Sequence, residues 1–331
     1  MAEILTVDAS EIDLQWVADL YGQADPNYRR LDHLEHVLRN GPDGPALHSF
    51  VMDGERPVGH SAIIPMPGRV GSESLRTGKL EAIFIEADYR GVKEGGQSLA
   101  RTMLDRLYEF ADERGLELLH AFTPIPRTIR FTELHDVGPR SLVCVLRPIA
   151  GRGAQASRVA QRLIRAPIPA CRVVGIREAT ADDRDLVDAP LPSAGRWTLA
   201  ASDAWDWYRT SPHVRVVEVA DGGGVSRALV QLPGKHDDPL RLAAAQLVRP
   251  TWSKAVRLVR TLIDVGAELD APTVRFQPWP APNGDGLLRR ACLVLGFVPR
   301  NDFSTLWVRT LRDELATADA PVPTPLLWLG L

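Results

Sequence analysis

The stretch GKLEAIFIEADYRGVKEGGQSLARTML, residues 78–104, reads as strand, tight loop and helix in immediate succession. The apolar run ending at Ile85 predicts a strand over 77–86. The loop carries Arg90, Gly91, Gly95 and Gly96. From Gly95 to Arg114, Leu99, Met103, Leu104, Leu107, Phe110 and Ala111 recur at i, i+3 and i+4, which predicts one apolar stripe on a helix over 95–114. Gly115 ends it. A strand over 116–123 follows, so the two strands flanking this helix should be parallel and joined by a right-handed crossover.

Further elements follow from periodicity and punctuation. Upstream, helices are predicted over 10–22 and 30–39, then strands over 47–52, 57–65 and 68–74. Downstream, a short helix near 127–135 precedes a closing strand, SLVCVLRP (141–148). The order is α-α-β-β-β-β-α-β-α-β.

The chain repeats this plan. FVMDGERPVGHSAIIP (50–65) aligns without gaps on EVADGGGVSRALVQLP (218–233), with Asp53-Gly54 on Asp221-Gly222 and Pro65 on Pro233. Each is an apolar run, a D-G turn and a second apolar run, the signature of a β-hairpin. LELLHAFTPIP (116–126) matches APTVRFQPWP (271–280), VLRNGPDGP (37–45) resembles WYRTSPHV (207–214), and STLWVRT (304–310) closes the second copy. Four correspondences in order imply a duplication. The domains read as 1–148, a basic linker over 149–172, and 173–331 with a Pro-rich tail, DAPVPTPLLWLGL. The fold class is α/β (α+β): two tandem domains, each a mixed, mostly antiparallel sheet flanked by helices.

Composition narrows the classes. The chain has 331 residues, 45% hydrophobic, with a formal net charge of −3. Two cores are expected at that length, and the charge argues against a general nucleic-acid binder. Four of the 39 Lys and Arg residues are lysine, a bias read as that of a GC-rich bacterial genome. Cys144, Cys171 and Cys292 have no zinc-type spacing and read as small buried hydrophobes. No metal site is expected. The N-terminus lacks the pattern of a signal peptide and no run of 18 apolar residues occurs, so a cytoplasmic location without a membrane span is expected. The linker carries Arg152, Arg158, Arg162, Arg165 and Arg172 without an acid. It reads as a solvated connection or as a docking surface for an acidic partner.

The loop has a chemical reading. Backbone N–H groups freed at a helix start, with the helix dipole, favour a pyrophosphate. Small residues let it approach. Taken alone, the pattern equally describes a structural turn. The segment resembles the acyl-CoA-binding motif of the GNAT superfamily, in which a V-x-P-x-x-R strand end leads into R-G-x-G-x-G/A. Ile85-Glu86-Ala87-Asp88-Tyr89-Arg90 fills the strand end, and Arg90-Gly91-Val92-Lys93-Glu94-Gly95 the loop. Ala87 stands where Pro is usual and Lys93 where the first glycine is usual. A shift of one residue uses Gly95 and Gly96 instead.

The resemblance implies acetyl-CoA or another acyl-CoA as co-substrate, held by Phe84, Ile85, Arg90, Gly91, Val92, Lys93, Gly95, Gly96 and Gln97. It implies that the Ile85 amide polarises the thioester carbonyl. The matching stretch of the second copy, AAAQLV-RPTWSKAVRLVRTL (243–262), has no glycine, so no CoA is expected there.

N-acyl transfer needs a base for the amine and a proton for the leaving thiolate. Glu81, inside an apolar strand, is similar to the Glu of the L-E-G-I-F-V-type strand in aminoglycoside 6′-N-acetyltransferases. It reads as the base, or as a strand-end carboxylate paired with an arginine. His120 and His60 read as bases or as satisfied core histidines. The family often places a tyrosine acid near 127–135. Here Phe131 stands near that place, and Glu133 and His135 are the candidate substitutes. The expected acceptor is a small, amino-acid-like amine. An acyl-carrier-protein donor and a non-catalytic acyl-CoA-binding module are the alternatives.

Overall fold

The computed structural model describes residues 3–23, 31–122, 133–135, 141–146, 168–187, 196–199, 203–220, 223–233, 239–276, 285–300, 306–311 and 319–322. Most of the basic linker and the end of the tail lie outside the described residues.

The first half opens with β1 (Glu3–Asp8), which the sequence reading had missed, then α1 (Leu14–Gly22) and α2 (Leu31–Leu34), whose last turn widens into a π-turn over Glu35–Arg39. β2 (Leu47–Asp53) and β3 (Arg56–Val70) form the predicted hairpin, with Gly54 at φ +62 in its turn. β4 (Glu73–Ile85) runs antiparallel to β3 along its whole length. The expected four short strands are therefore three, two of them long. Pro65 and Pro67 do not break β3, because they lie beyond its last pairing with β2, Leu47–Ile63. Among the described residues that edge of β3 is unpaired from Ile64 until β11 joins it at Gly68, and proline is tolerated there.

Two-residue strands β5 (Lys93–Glu94) and β6 (Gln97–Ser98) precede α3 (Leu99–Glu113). The buried stripe of α3 is Leu99, Met103, Leu104, Leu107, Tyr108 and Ala111, at about 2 kcal/mol for each large side chain. Tyr108 replaces the predicted Phe110, which lies at the edge of the stripe with the Arg114 guanidinium 4.8 Å above its ring. Gly115, at φ +73, stops the helix as expected. β7 (Leu118–Phe122) follows and runs parallel to β4, as the crossover requires. Then come β8 (Glu133–His135) and β9 (Ser141–Val145). Residues 133–135 are thus strand rather than the end of a helix; residues 127–132 lie outside the described residues.

The second half repeats the order: β10 (Arg172–Glu178), β11 (Arg196–Leu199), α4 (Trp205–Arg209), β12 (Val214–Ala220), β13 (Val225–Gln231), β14 (Leu240–Gln246), α5 (Trp252–Glu268), β15 (Thr273–Phe276), α6 (Asp285–Val294), β16 (Val298–Arg300), β17 (Leu306–Thr310) and β18 (Asp319–Val322). β18, the start of the Pro-rich tail, pairs with β11, which in turn extends the far end of β3.

The sheets run β1-β2-β3-β4-β7-β17-β8 and β10-β12-β13-β14-β15-β9-β16. Their plans are the same, but each half's closing strand sits in the other half's sheet. β9 lies between β15 and β16, and β17 between β7 and β8. Cys144 of β9 is accordingly buried with Cys292 of α6 in the second core, and Val308 of β17 is buried with Leu118 in the first. The three cysteines are buried and unbridged.

This exchange makes each core depend on both halves. Expressed alone, residues 1–148 leave β7 with a bare edge and β9 without a sheet. Such a fragment should aggregate or exchange strands between copies, whereas co-expression with 168–331 should restore a 1:1 soluble complex. Size-exclusion chromatography with light scattering distinguishes these outcomes, and a monomeric, cooperatively folding 1–148 fragment would refute the dependence.

Candidate functional site

β4 and β7 pair through three rungs only: Thr77–Leu118, Gly78–Leu119 and Lys79–His120. Beyond Lys79, β4 continues to Ile85 paired with β3 alone among the described residues. At the same place β4 bulges. Ala62 faces Glu81 and Ser61 faces Ile83, so Ala82 is the extra residue. The bulge reverses the alternation of side chains. Leu80 packs towards α3 before it, and Ile83 and Ile85 pack towards α3 after it.

The backbone of the unpaired stretch has a defined polarity. The Glu86 N–H bonds the Val58 carbonyl at 2.9 Å. Antiparallel alternation then turns Phe84 towards His60, and turns the N–H and C=O of Ile83 and Ile85 to the open side. Arg90 Nε takes the Ile85 carbonyl at 2.9 Å. The open edge thus offers Ile83 N–H and C=O and Ile85 N–H, a ladder suited to an extended, amide-bearing ligand.

The loop after β4 is more ordered than its sequence suggested. A 3₁₀ turn over Ala87–Tyr89 leads through Arg90-Gly91 to the β5–β6 hairpin. Gly95 (φ +55) and Gly96 (φ +86) form its two-residue turn, a conformation glycine adopts without strain. The turn itself therefore demands both glycines. A Cβ at Gly91, Gly95 or Gly96 would meet nothing within 4 Å, so the space around all three is open. The Leu99 N–H returns to the Val92 carbonyl at 3.2 Å. Ser98, at the N-cap of α3, makes no side-chain capping bond, and the first turn carries no acid. The next amides of α3 therefore keep their anion-attracting character, beside Arg90, Lys93 and Arg101. A depression of about 290 Å³ adjoins the hairpin, lined by Gly95, Gln97, Thr102, Asp105, Arg106 and Glu109.

Glu81 and Lys79 leave β4 on the face away from α3 and form an ion pair; only 15% and 8% of these side chains is exposed. The alternative reading of Glu81, a carboxylate paired with an arginine, differs in its partner, which is Lys79, two residues away on the same face. His120 lies in register beside Lys79, fully buried, with neither ring nitrogen hydrogen-bonded among the described residues. Burial, then the Lys79 charge, lowers its pKa to about 3, so the ring is neutral. The Glu133 backbone pairs opposite Val308, which pairs opposite His120, and His135 pairs opposite Leu306. The three candidate catalytic residues thus belong to adjacent rows of one sheet, with Glu133 the most distant.

Two groups that sequence reasoning missed lie on the same face. His48 Nδ1 stands 2.7 Å from His60 Nε2, and His60 Nδ1 stands 3.1 Å from the Tyr21 hydroxyl. Neither His48 nor Tyr21 carries a local signal that it belongs near Glu81.

The second copy has the same frame with apolar residues in the matching places. Its bulge falls at Ala243, between the pairings Leu229–Ala244 and Val230–Leu242, and β14 parts from β15 after Leu242–Phe276. Counted from the bulge, Leu242, Leu240 and Val274 take the places of Glu81, Lys79 and His120. The Thr251 hydroxyl accepts from Lys254 N and closes the helix start that Ser98 leaves open. Arg227, Asp185 and Gln246 bond to one another across the end of β14. Next to them Asp183 is fully buried. Burial alone would raise its pKa, but the bonds from Arg177 and Thr180 hold it below the usual carboxylate range.

No family model and no curated protein matches the chain. Solved structures do. N-myristoyltransferase from Saccharomyces cerevisiae with bound myristoyl-CoA matches at TM-score 0.54 and 10% identity over 93% of this chain and 78% of that one. A conserved protein of unknown function from Enterococcus faecalis V583, described as a probable N-acyltransferase, matches at TM-score 0.50 and 10% identity over 83% of this chain; the match spans 65% of that protein's length. A GCN5-related N-acetyltransferase from Anabaena variabilis ATCC 29413 is similar at TM-score 0.49 and 12% identity. The fold is the GNAT fold, and the two sheets of the chain follow one plan. Among the described residues, no helix is long and apolar enough to cross a membrane.

Two stability tests follow. Removing one member of a largely buried ion pair strands the other charge. Lys79→Met should cost about 3 kcal/mol in urea unfolding, and the double variant Lys79→Met/Glu81→Leu should recover most of it; equal losses in both would show that the pair is not coupled. Burial lowers the pKa of His48 and His120 from 6.5 to about 3, and that of His60 well below 6.5 with His48 adding to the effect. Below pH 6.5 the unfolded chain takes up protons that these folded imidazoles refuse. Stability should therefore be level above that pH, and fall below it by up to about 1.4 kcal/mol per pH unit for each histidine. Urea midpoints unchanged between pH 7.5 and pH 5 would contradict this.

Proposed function

We propose that the chain is an acyl-CoA-dependent N-acyltransferase whose donor site lies in the N-terminal copy. The observation that carries the reading is the parting of β4 from β7 after Lys79–His120, which leaves the Ile83 and Ile85 backbone groups on an open edge beside Glu81. The pantetheine arm carries two amides and is extended, so it can pair with that edge as an added strand. The pyrophosphate would lie at residues 90–97 and the start of α3. Phe84, Ile85, Arg90, Gly91, Val92, Lys93, Gly95, Gly96 and Gln97 form the donor site in this reading. Arg90 acts in part by bracing the end of β4 through the Ile85 carbonyl.

The reaction is direct attack. Glu81 takes a proton from the acceptor ammonium, the amine adds to the thioester carbonyl, and the Ile85 N–H stabilises the oxyanion. His120, neutral and next to Lys79, and Glu133 further along the sheet are the remaining polar candidates on the acceptor side. The acceptor is a small, amino-acid-like amine, and acetyl-CoA is the simplest donor. The second copy takes no CoA and serves as wall and scaffold. A carrier-protein donor rested on the arginines of the linker, most of which lie outside the described residues.

Acetyl-CoA at saturation should raise the melting temperature by several degrees. Gln97→Glu, which adds one negative charge where the phosphates would lie, should weaken binding roughly tenfold, about 1.4 kcal/mol. A control change in the second copy, Arg249→Glu, just ahead of the Thr251 cap of α5, should leave affinity unchanged. Isothermal titration reads both; no binding by the native chain, or equal sensitivity to the two substitutions, would rule out this donor site.

A further inference from the structure

We propose that the acceptor is a free α-amino acid, bound as a zwitterion: Glu81 takes its ammonium, Lys79 takes its carboxylate, and the His120 ring completes the carboxylate site. This rests on the acyltransferase reading and narrows its acceptor from a small amine to one that keeps a free carboxylate.

The three groups form a polar island on the sheet face opposite α3. Lys79 and Glu81 leave β4 two residues apart, about 7 Å along the strand, and pair with each other. His120 is the register partner of Lys79 on β7, and Val308 of β17 stands beyond it. The surroundings are apolar: Ala62, Leu118 and Val308 belong to one buried cluster. Lys79 and His120 are both buried, and neither ring nitrogen of His120 has a hydrogen-bond partner among the described residues. The second copy builds the same frame with Leu240, Leu242 and Val274 in these places. The frame therefore does not require polar groups there.

Charge decides what such an island can hold. The Lys79 ammonium and the Glu81 carboxylate cancel, and burial lowers the pKa of His120 to about 3, so the imidazole adds no charge. An acceptor that carries only an ammonium would draw Glu81 to itself and strand the Lys79 charge in a largely buried place, which is strongly unfavourable. A zwitterion brings its own carboxylate for Lys79. One ion pair opens, two form, and the sum of charges stays at zero. A neutral imidazole has one N–H to donate. Given to the second carboxylate oxygen, it supplies the partner that the His120 ring lacks among the described residues.

The order of the groups along β4 fits the direction of attack. Glu81 stands beside the small Ala62 on one side, and on its other side no strand pairs with β4 after Lys79 among the described residues. Its side chain is 15% exposed against 8% for that of Lys79. The ammonium end of the ligand thus lies towards the parting of the strands and the Ile83–Ile85 edge assigned to the donor. The carboxylate end lies further in, between Lys79 and His120. The two charges of an α-amino acid are carried through one carbon, which suits side chains this close together.

The reaction also resets the site. The N–C bond forms and the C–S bond breaks; of the two protons that the ammonium gives up, one ends on sulfur and one, by way of Glu81, in solvent. The amide product has lost its positive charge and kept its carboxylate, so it is an anion. Glu81, ionised again, returns to Lys79 and competes with that carboxylate, which favours release of the product.

The test compares each standard L-amino acid with its own carboxamide as acceptor for acetyl-CoA on the native chain, with the acetylated product read by mass spectrometry. At least one amino acid should be acetylated with a kcat/KM about 100-fold above that of its amide. Lys79→Gln should bring that ratio to within about threefold of unity, and Lys79→Arg, which keeps the charge, should hold it above about tenfold. A merely structural role for Lys79 would lower the rates with both acceptors and leave the ratio as it is in the native chain. Amides accepted as well as amino acids, a ratio unmoved by Lys79→Gln, or binding of acetyl-CoA with no amino acid acetylated would each overturn the proposal and leave the acyltransferase reading intact. A native chain that does not bind acetyl-CoA would remove both.

Discussion

Two strands that begin as parallel neighbours separate after three pairs of residues, and the separation organises everything near it. A sheet normally satisfies its backbone from both sides. Here β4 continues for six residues beyond Lys79 with one side unpaired among the described residues. The bulge at Ala82 makes this tolerable. It lets Leu80 pack towards α3 before the bulge and Ile83 and Ile85 after it, so the core is continuous while the strand bends away from β7. The opposite face receives Lys79, Glu81 and Phe84. An unpaired backbone edge and a charged pair therefore share a few residues of one strand, which is the physical reason for placing an extended, amide-bearing ligand there.

The reciprocal exchange of β9 and β17 ties the two copies together although one has apolar residues where the other has Lys79, Glu81 and His120. β17 closes the first sheet and places Val308 against His120 and Leu118. A second copy with Leu240, Leu242 and Val274 in place of the polar trio is still indispensable, because the first sheet is incomplete without its last strand. The helix ends show the same division. Thr251 caps α5 with its own side chain, while the start of α3 lacks such a cap.

The sequence by itself determined the local and the repeated. The stripe of α3, its stop at Gly115, the hairpin at Asp53-Gly54, the parallel crossover and the duplication were all legible, because each depends on residues close in sequence or on a pattern occurring twice. Glu81 stood out for the same reason, as a carboxylate within an apolar run. The glycines of the loop were visible, but their use in a two-residue turn was not, since the β5–β6 pairing decides it. Only the tertiary structure decided which strand closes which sheet, that Lys79 partners Glu81, and that Tyr21, His60 and His48 meet. β9 reads the same whether it pairs with its own half or the other, because a strand's alternation specifies a face and not a neighbour. A buried histidine is likewise silent in sequence until long-range register sets another nitrogen within hydrogen-bonding distance of it.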